Sequence, residues 1–395
     1  METHLFLEPL DVLFLRGNRL FGDPGSYGES LVPPWPSVVA GALRSALLAA
    51  DGTPFEAFAA GALEHPVLGS PGAPREEGFR ITRFQLGRRR PDGEVEGIHP
   101  LPADLVVTEP EEGSPQVSAM APAALPRGVQ CSMALARVPV LPQPRRAKPA
   151  SGWWLTEGGW ARYLRGEAVR GEDLVRASTL WRTDERVGVG LDRETRRASD
   201  GRLFTVQAVA FVQRGHPVRG NEHEGPEPEG HDVGFLVGVA GEADLSGIGA
   251  VRLGGDGRAA AVRRVEYQPP APDCQAICTA GRCRIVLTSP GIFPEGWRLP
   301  GMAADGAFTL GGVRGRVVAA AVPRHEVISG WNLARGRPKV AERAAPAGSV
   351  YWLDGIEATP ETLRGLAARG LWPEQGYDAG RRVEGFNRFE WGVWR

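Results

Sequence analysis

The sequence predicts an α+β fold built as two similar halves, and three observations carry that expectation. The first half runs strand, helix, strand, long hairpin, strand, short helix, strand, a βαββαβ order with large insertions. Gln268-Pro269-Pro270-Ala271-Pro272 then breaks the pattern as a linker would. The remaining residues repeat the order in a more degenerate form. The expected architecture is two tandem ferredoxin-like (RRM-like) domains, residues 1–267 and 268–395. The first carries insertions at about 109–149 (Pro-rich), 181–203 (a hairpin) and 214–232 (an acidic loop).

The opening strand is expected over Leu5 to Leu15, apolar enough for the middle of a sheet, with a break at Pro9 in view because proline cannot donate to a ladder. It stops at Arg16-Gly17-Asn18-Arg19, where Gly17 and Asn18 tolerate positive φ and let two arginines project from one turn. Val32-Pro33-Pro34-Trp35-Pro36 makes an extended lead into a helix that runs to about Ala50, with Pro36 suited to its first turn. On that helix Val39, Leu43 and Leu47 form the core stripe, while Ser37, Gly41, Ser45 and Arg44 form a stripe of small residues with one charge. Small residues admit either a tightly packed neighbouring element or a phosphate backbone over the helix start, where free N–H groups favour anions. Arg44 could meet a phosphate or pair with Asp11 or Asp23.

A short helix over Phe55 to Leu63 follows, then Phe79 to Leu86 alternates as a half-exposed strand and ends in Arg88-Arg89-Arg90 before a Pro-Asp-Gly turn. The Pro-rich stretch Glu109 to Pro149 reads as an ordered insertion or a loop whose role the sequence does not disclose. Helices are expected near Gly158 to Leu164 and from Glu172. A long hairpin with a charged tip joins Trp181 to Gln213, Phe235 to Val239 is a strand, Ala243 to Val251 a short helix, and Ala259 to Tyr267 a strand. In the second half, strands are expected at Arg284 to Thr288, Arg316 to Val322, Val350 to Leu353 and Phe386 to Trp394. A hairpin runs through Trp331 to Val340, and Thr359 caps a helix reaching Ala368.

Leu7-Glu8-Pro9-Leu10-Asp11-Val12-Leu13-Phe14-Leu15-Arg16-Gly17-Asn18-Arg19, followed by Pro33-Pro34-Trp35-Pro36-Ser37-Val38-Val39-Ala40-Gly41-Ala42-Leu43-Arg44, resembles the N-terminal signature of the third-subunit family of type III-B CRISPR (Cmr) complexes, within the RAMP superfamily. Weaker echoes recur at Arg186 to Arg193, Leu253 to Arg258, Ile328 to Asn332 and Gly376 to Gly392. The resemblance implies a non-catalytic, RNA-binding subunit that anchors the 5′ repeat-derived tag of the crRNA, and the lack of a membrane-length apolar run or a signal-peptide pattern sets the expected location as cytoplasmic. Its implied partners are the large polymerase-like (palm-domain) subunit, the backbone RAMP subunits and, indirectly, target RNA. It also implies that the hairpin from Arg186 to Arg202 is a thumb reaching across the guide, with Arg193, Arg196 and Arg197 at its tip and Gly188 and Gly190 thinning the strand for close approach. Together with Arg186, these join Arg16, Gly17, Asn18, Arg19, Ser37, Gly41 and Arg44 as the expected RNA-binding residues.

Composition bounds the reading independently. At 395 residues and 42% hydrophobic, the chain can bury a large core, and a net charge of −1 argues against a uniformly basic coat. Lys148 and Lys339 are the only lysines among 46 basic residues, a bias that matches the chain's excess of Ala, Gly and Pro. No apolar run approaches the ~18 residues of a membrane span, and no signal-peptide pattern opens the chain. Cys274, Cys278 and Cys283 fit no standard zinc spacing, nor do His216, His223 and His231 in their acidic loop, so no metal or cofactor is expected.

Two other functions remain open at the level of residues. One is a metal-independent RAMP endoribonuclease, which needs a histidine beside the phosphate; Arg16 to Leu48 holds none, so His4, His65 or His99 would have to fold back. The other is a protein-interaction scaffold without direct RNA contact.

Overall fold

The computed structural model describes residues 2–17, 27–111, 113–131, 135–142, 148–192, 194–214, 230–332 and 337–395. It is a mixed α+β structure of mostly antiparallel sheets with few helices. The chain divides into two compact units, each assembled from several stretches: Met1–Glu96, Ser178–Tyr267 and Ile328–Ala341 in one, and Gly97–Ala177, Gln268–Val327 and Glu342–Arg395 in the other. One crossing falls after Tyr267, at the start of the Pro-rich linker. Residues 97–177, which the sequence assigns to the first half, group with the second unit.

In the first unit the sheet runs Arg80–Arg89, Asp232–Ala240, Glu2–Pro9, Ala259–Val265, Ala250–Arg252, antiparallel throughout. Asp232–Ala240 is buried along its whole length, as befits a continuous apolar run with a neighbour on either side. The opening strand is central, as expected, but it ends at Pro9. Leu10 emerges 64% exposed, and Leu13 instead exchanges both backbone hydrogen bonds with Val209 at 2.8 Å. One apolar run therefore serves two sheets. Helix Pro36–Ala50 starts on its proline and buries Val39, Ala40, Leu43, Leu47 and Leu48, packing near Arg80–Arg89 and Ala250–Arg252.

The expected helix over Ala243 to Val251 is absent. Asp244 folds its carboxylate back onto the Ser246 N–H (2.9 Å), and Gly247 and Gly249 favour a turn that feeds the short strand Ala250–Arg252. The helix expected over Phe55 to Leu63 is likewise shorter, spanning only Phe55–Ala59.

The second unit's sheet runs Ala307–Leu310, Val313–Ala321, Val350–Glu357, Arg282–Leu287, Phe389–Val393, again antiparallel. Both faces are covered. On one side Cys283, Ile285 and Leu287 pack with Leu363 and Leu366 of helix Pro360–Arg369, whose cap is Thr359 as expected, its hydroxyl accepting from the Thr362 N–H at 3.2 Å. On the other side Val286, Val318 and Trp352 pack with Leu105, Leu155, Trp160 and Tyr163 from residues 97–177. The Pro-rich stretch is ordered where described, as ladders Leu105–Thr108 with Gln116–Ala119 and Ala121–Ala123 with Val138–Val140. Helix Glu157–Leu164 is capped by Thr156, whereas the helix expected from Glu172 is a single 3-10 turn, Gly171–Asp173, that leads directly into the strand Leu174–Arg176. No helix among the described residues is long and apolar enough to cross a membrane.

Candidate nucleic-acid interface

The hairpin Trp181–Leu191 and Ala198–Phe211 gains a third strand when Tyr27–Gly28 adds parallel to its second arm. Ser30 tightens this junction, its hydroxyl donating to the Gln207 carbonyl (2.7 Å) and its N–H to Gln207 Oε1 (3.1 Å). Arg16 bridges Ser30 across the same junction, and the Leu31 N–H donates to the Leu15 carbonyl at 2.7 Å. The turn that bears Arg16 and the root of the hairpin are thus one construction, although 177 residues separate Ser30 from Gln207. Arg16 is exposed and Gly17 half-buried; Asn18 and Arg19 lie outside the described residues.

Beneath this junction Phe14 packs with Val206 and Ala208. The Phe14 carbonyl accepts from the Gly255 N–H at 2.9 Å, and a Cβ on Gly254, whose φ is +79°, would come within 2.7 Å of that carbonyl. Arg258, on the same glycine turn, lies over the Phe14 ring at 5.4 Å and pairs with Asp11. Asp11, one of two carboxylates that could have held Arg44, is therefore engaged by Arg258. In the sequence, Leu253 to Arg258 stands only as a weaker family echo, with nothing to connect it to the site.

Along the helix start, Ser37 and Arg44 are half-buried and Gly41 is exposed. A Cβ on Gly41 would meet nothing within 4 Å, so no described element of this chain packs against the small-residue stripe at that point. Among the described residues, the alternative of a tightly docked neighbour is not met at Gly41.

Arg186 is half-buried and its Nε donates to Asp184 Oδ2 at 3.0 Å, an exposed pair of small energetic weight that leaves the guanidinium on the hairpin surface. At the tip, Asp192 Oδ1 accepts from the N–H of Glu194 (3.1 Å) and Thr195 (2.7 Å) and from the Thr195 hydroxyl (2.8 Å). Those hydrogen bonds hold the Asp192 carboxyl below the usual carboxylate range. Arg196 takes a left-handed φ of +54°, and both Arg196 and Arg197 are exposed; Arg193 lies outside the described residues. The glycines act differently from the expectation. A Cβ on Gly188 would sit 2.4 Å from the Phe204 ring and one on Gly190 2.9 Å from Arg202, so they make room for side chains of the hairpin's own second arm. The opposite face leaves Val187, Val189, Leu191 and Leu203 exposed, an apolar face that sequence reading missed.

The basic strand end is not a free cationic surface. Arg88 and Arg90 pair with Glu96, and Arg89 bridges Glu8 (3.2 Å) and Asp232 (2.6 Å), which also takes Arg214. The alternation of Phe79 to Leu86 shows the strand but not the acids that its neighbours bring across. His65, His99 and His4 each have partners of their own. His65 is buried, its Nε2 bonded to Asp51 (2.8 Å) and its Nδ1 accepting from the N–H of Val67 and Leu68. His99 is buried against Trp160, ring centroids 4.5 Å apart, and His4 stacks edge-on to Tyr267 with its pKa lowered by burial. Cys274 and Cys278 lie one turn apart on helix Cys274–Ala280, and burial pushes their thiols and that of Cys283 up. His216 and His223 lie outside the described residues, among which no group of three or more His, Cys, Asp or Glu could hold a metal ion.

A family model described as CRISPR-associated protein (Cas_Cmr3) matches residues 5–394. No individual curated protein sequence matches the chain. Among solved structures, the chain is similar to a chain of a type III-B Cmr-beta complex bound to cognate target RNA and AMPPnP, at 12% identity and TM-score 0.49, over 98% of each chain. A second chain, from the Cmr-beta complex bound to cognate target RNA, gives 13% identity and TM-score 0.45 over 88% of this chain and 86% of that one.

Proposed function

This chain belongs to the Cas_Cmr3 family of CRISPR-associated proteins, the third-subunit family of type III-B Cmr complexes, and from that premise we propose that it is a non-catalytic subunit holding the 5′ repeat-derived tag of a guide RNA. The observation that carries the reading is the shared junction of Arg16 and the hairpin root, which offers a strand end, an arginine and a projecting thumb to one extended ligand. Guanidinium and bare backbone suit phosphates rather than base edges. The strand orders support the tandem ferredoxin-like organisation: in each unit the first strand lies between the last and the third, with the second outside the third. In each, one of the two crossover helices is replaced by irregular chain.

The thumb's exposed apolar face favours a protein neighbour there, in keeping with a bridging role between the large polymerase-like subunit and the backbone subunits. Deleting Glu194 to Gly201 should reduce both complex assembly and guide protection; an unchanged complex with a fully protected guide would refute the thumb role.

Guide-RNA binding by the reconstituted complex, titrated at several salt concentrations, tests the tag site. For Arg16→Ala the slope of log K against log salt should fall by about 0.7, the loss of one phosphate contact on a single strand. Unchanged affinity and slope would move the RNA away from Arg16. The guide should be recovered uncut, since His65 and His99 are engaged in the fold; cleavage that vanishes with one histidine substitution would revive the nuclease reading.

A further inference from the structure

Between the end of the central strand at Pro9 and the exposed Arg16, the chain from Leu10 to Leu15 forms no regular strand. Where Arg16 stands therefore depends on what holds this segment from outside. One support is the hairpin, through Leu13 and Val209. The other is the stretch that follows the short strand Ala250–Arg252: the Leu10 N–H donates to the Ala259 carbonyl at 3.0 Å, and the Gly255 N–H donates to the Phe14 carbonyl at 2.9 Å. The turn Leu253 to Arg258 thus grips the chain two residues before Arg16.

This turn is built for a close approach. Gly254 (+79°), Asp256 (+54°) and Gly257 (+68°) all take a left-handed φ. The Leu253 N–H on the Arg258 carbonyl (2.9 Å) and the Arg258 N–H on the Gly255 carbonyl (3.3 Å) close it. Glycine is needed at 254 for its φ and again for its neighbour, because a Cβ there would lie 2.7 Å from the Phe14 carbonyl oxygen and 3.4 Å from Leu15 Cδ2. Closure of the turn sets Arg258 with its guanidinium 5.4 Å from the Phe14 ring centroid and its Nη1 on Asp11. Phe14 itself is buried with Val206 and Ala208. One turn therefore holds the backbone, the ring and the carboxylate of the segment that delivers Arg16.

Two plainer roles fit Arg258 less well. As a phosphate ligand in its own right it is poorly presented: Asp11 balances its charge, and its Nε is buried without a hydrogen-bond partner among the described residues. As a stabiliser of the fold it contributes little, since its partner carboxylate is 58% exposed and ion pairs of that kind have small net worth. What its contacts do is directional. They fix the segment against the turn at Asp11 and at Phe14.

We propose that the turn Leu253 to Arg258 is a positioning element of the tag site, in which Gly254 and Arg258 act through Phe14 to set where Arg16 meets a phosphate. The proposal rests on the reading of Arg16 as a tag contact. It gives the second glycine-rich echo in the sequence a task that involves no contact of its own with RNA.

Guide-RNA binding by the reconstituted complex at several salt concentrations tests it, with Arg16→Ala, Arg258→Ala and Gly254→Ala, and with Arg16→Ala joined to each of the other two. Arg16→Ala should weaken binding by about tenfold, the worth of one charge-assisted hydrogen bond. Arg258→Ala and Gly254→Ala should each weaken it by about fivefold. Because the turn acts through Arg16, each double variant should bind within about twofold of Arg16→Ala, whereas independent contributions would multiply to about fiftyfold. Gly254→Ala removes no charge, yet it should lower the slope of log K against log salt by up to about 0.7, since the guanidinium it displaces no longer meets its phosphate. A turn that served only the fold would leave that slope unmoved. Arg258→Ala carries the test by itself if Gly254→Ala does not assemble. Losses that multiply with Arg16→Ala, or wild-type affinity and slope in the single variants of the turn, overturn the positioning role and leave the tag site standing. An Arg16→Ala complex that binds as wild type removes the tag site, and the positioning role with it.

Discussion

Asp104→Ala should destabilise the second unit by about 3–5 kcal/mol, the usual cost of removing one partner from a buried ion pair. Asp104 is fully buried, accepts from the Tyr163 hydroxyl at 2.8 Å, and holds Arg284. Burial raises its carboxyl pKa, against the pull of the Arg284 charge and the hydrogen bonds from Tyr163 and Arg284. The pair is therefore a poor source of net stability but an expensive one to break, since alanine strands a cation and a hydroxyl in a core made of Leu105, Trp160 and Trp352. Joining Asp104→Leu to Arg284→Met should recover more than half of the loss by removing the stranded charge. Chemical denaturation, with hydrogen exchange of strand Arg282–Leu287 as the local readout, measures both. A double variant no more stable than Asp104→Ala would mean that packing, not charge, sets the cost.

Asn387→Ala should cost on the order of 3 kcal/mol, through three lost hydrogen bonds and a strained backbone. Asn387 is fully buried at a φ of +59°, a conformation that asparagine tolerates better than alanine. Its Oδ1 accepts from the Ile292 N–H at 2.7 Å, and its Nδ2 donates to the carbonyls of Ile292 (3.2 Å) and Leu371 (3.0 Å). One amide thus joins three stretches: the loop after strand Arg282–Leu287, the segment after helix Pro360–Arg369, and the lead into the last strand. Asn387→Gly separates the two contributions, because glycine relieves the backbone but restores no hydrogen bond. Hydrogen exchange at Ile292 and Leu371 should rise in both variants. If glycine restores full stability, the side-chain bonds count for little.

Much of this arrangement is legible in the sequence because its signals are local. The buried strands around Phe6, Leu236 and Ile285, the proline-led helix at Pro36 and the Thr359 cap each declare themselves within a few residues. What escapes is what depends on distant partners. Arg88, Arg89 and Arg90 look like a free basic run until Glu96, Glu8 and Asp232 arrive from other strands. Residues 97–177 hide their allegiance because their ladders are only three to six residues long and interrupted by proline. At the candidate site, Arg16 and the hairpin were legible separately, but their union was not, because the Ser30–Gln207 contact spans most of the unit. Arg284 escaped because an arginine at the start of a strand reads as an exposed end, whereas strand Phe389–Val393 closes over it.

The division of the opening apolar run between two sheets gives the hairpin a mechanical character. Its second arm is clamped at Val209 by Leu13 and at Thr205 and Val206 by Tyr27 and Gly28, which leaves Ala198 to Phe204 projecting beyond the clamp. Seven residues at about 3.3 Å each make a free span of about 23 Å. Rocking of about 10° at that fulcrum would carry the tip through about 4 Å, a little less than one strand spacing. The clamp side of this lever leads within four residues, Leu10 to Leu13, to the central strand that ends at Pro9. A load applied to Arg196 or Arg197 would therefore be delivered to a central strand of the unit, paired on both sides, and the compliance of the hairpin would reside in its own two arms.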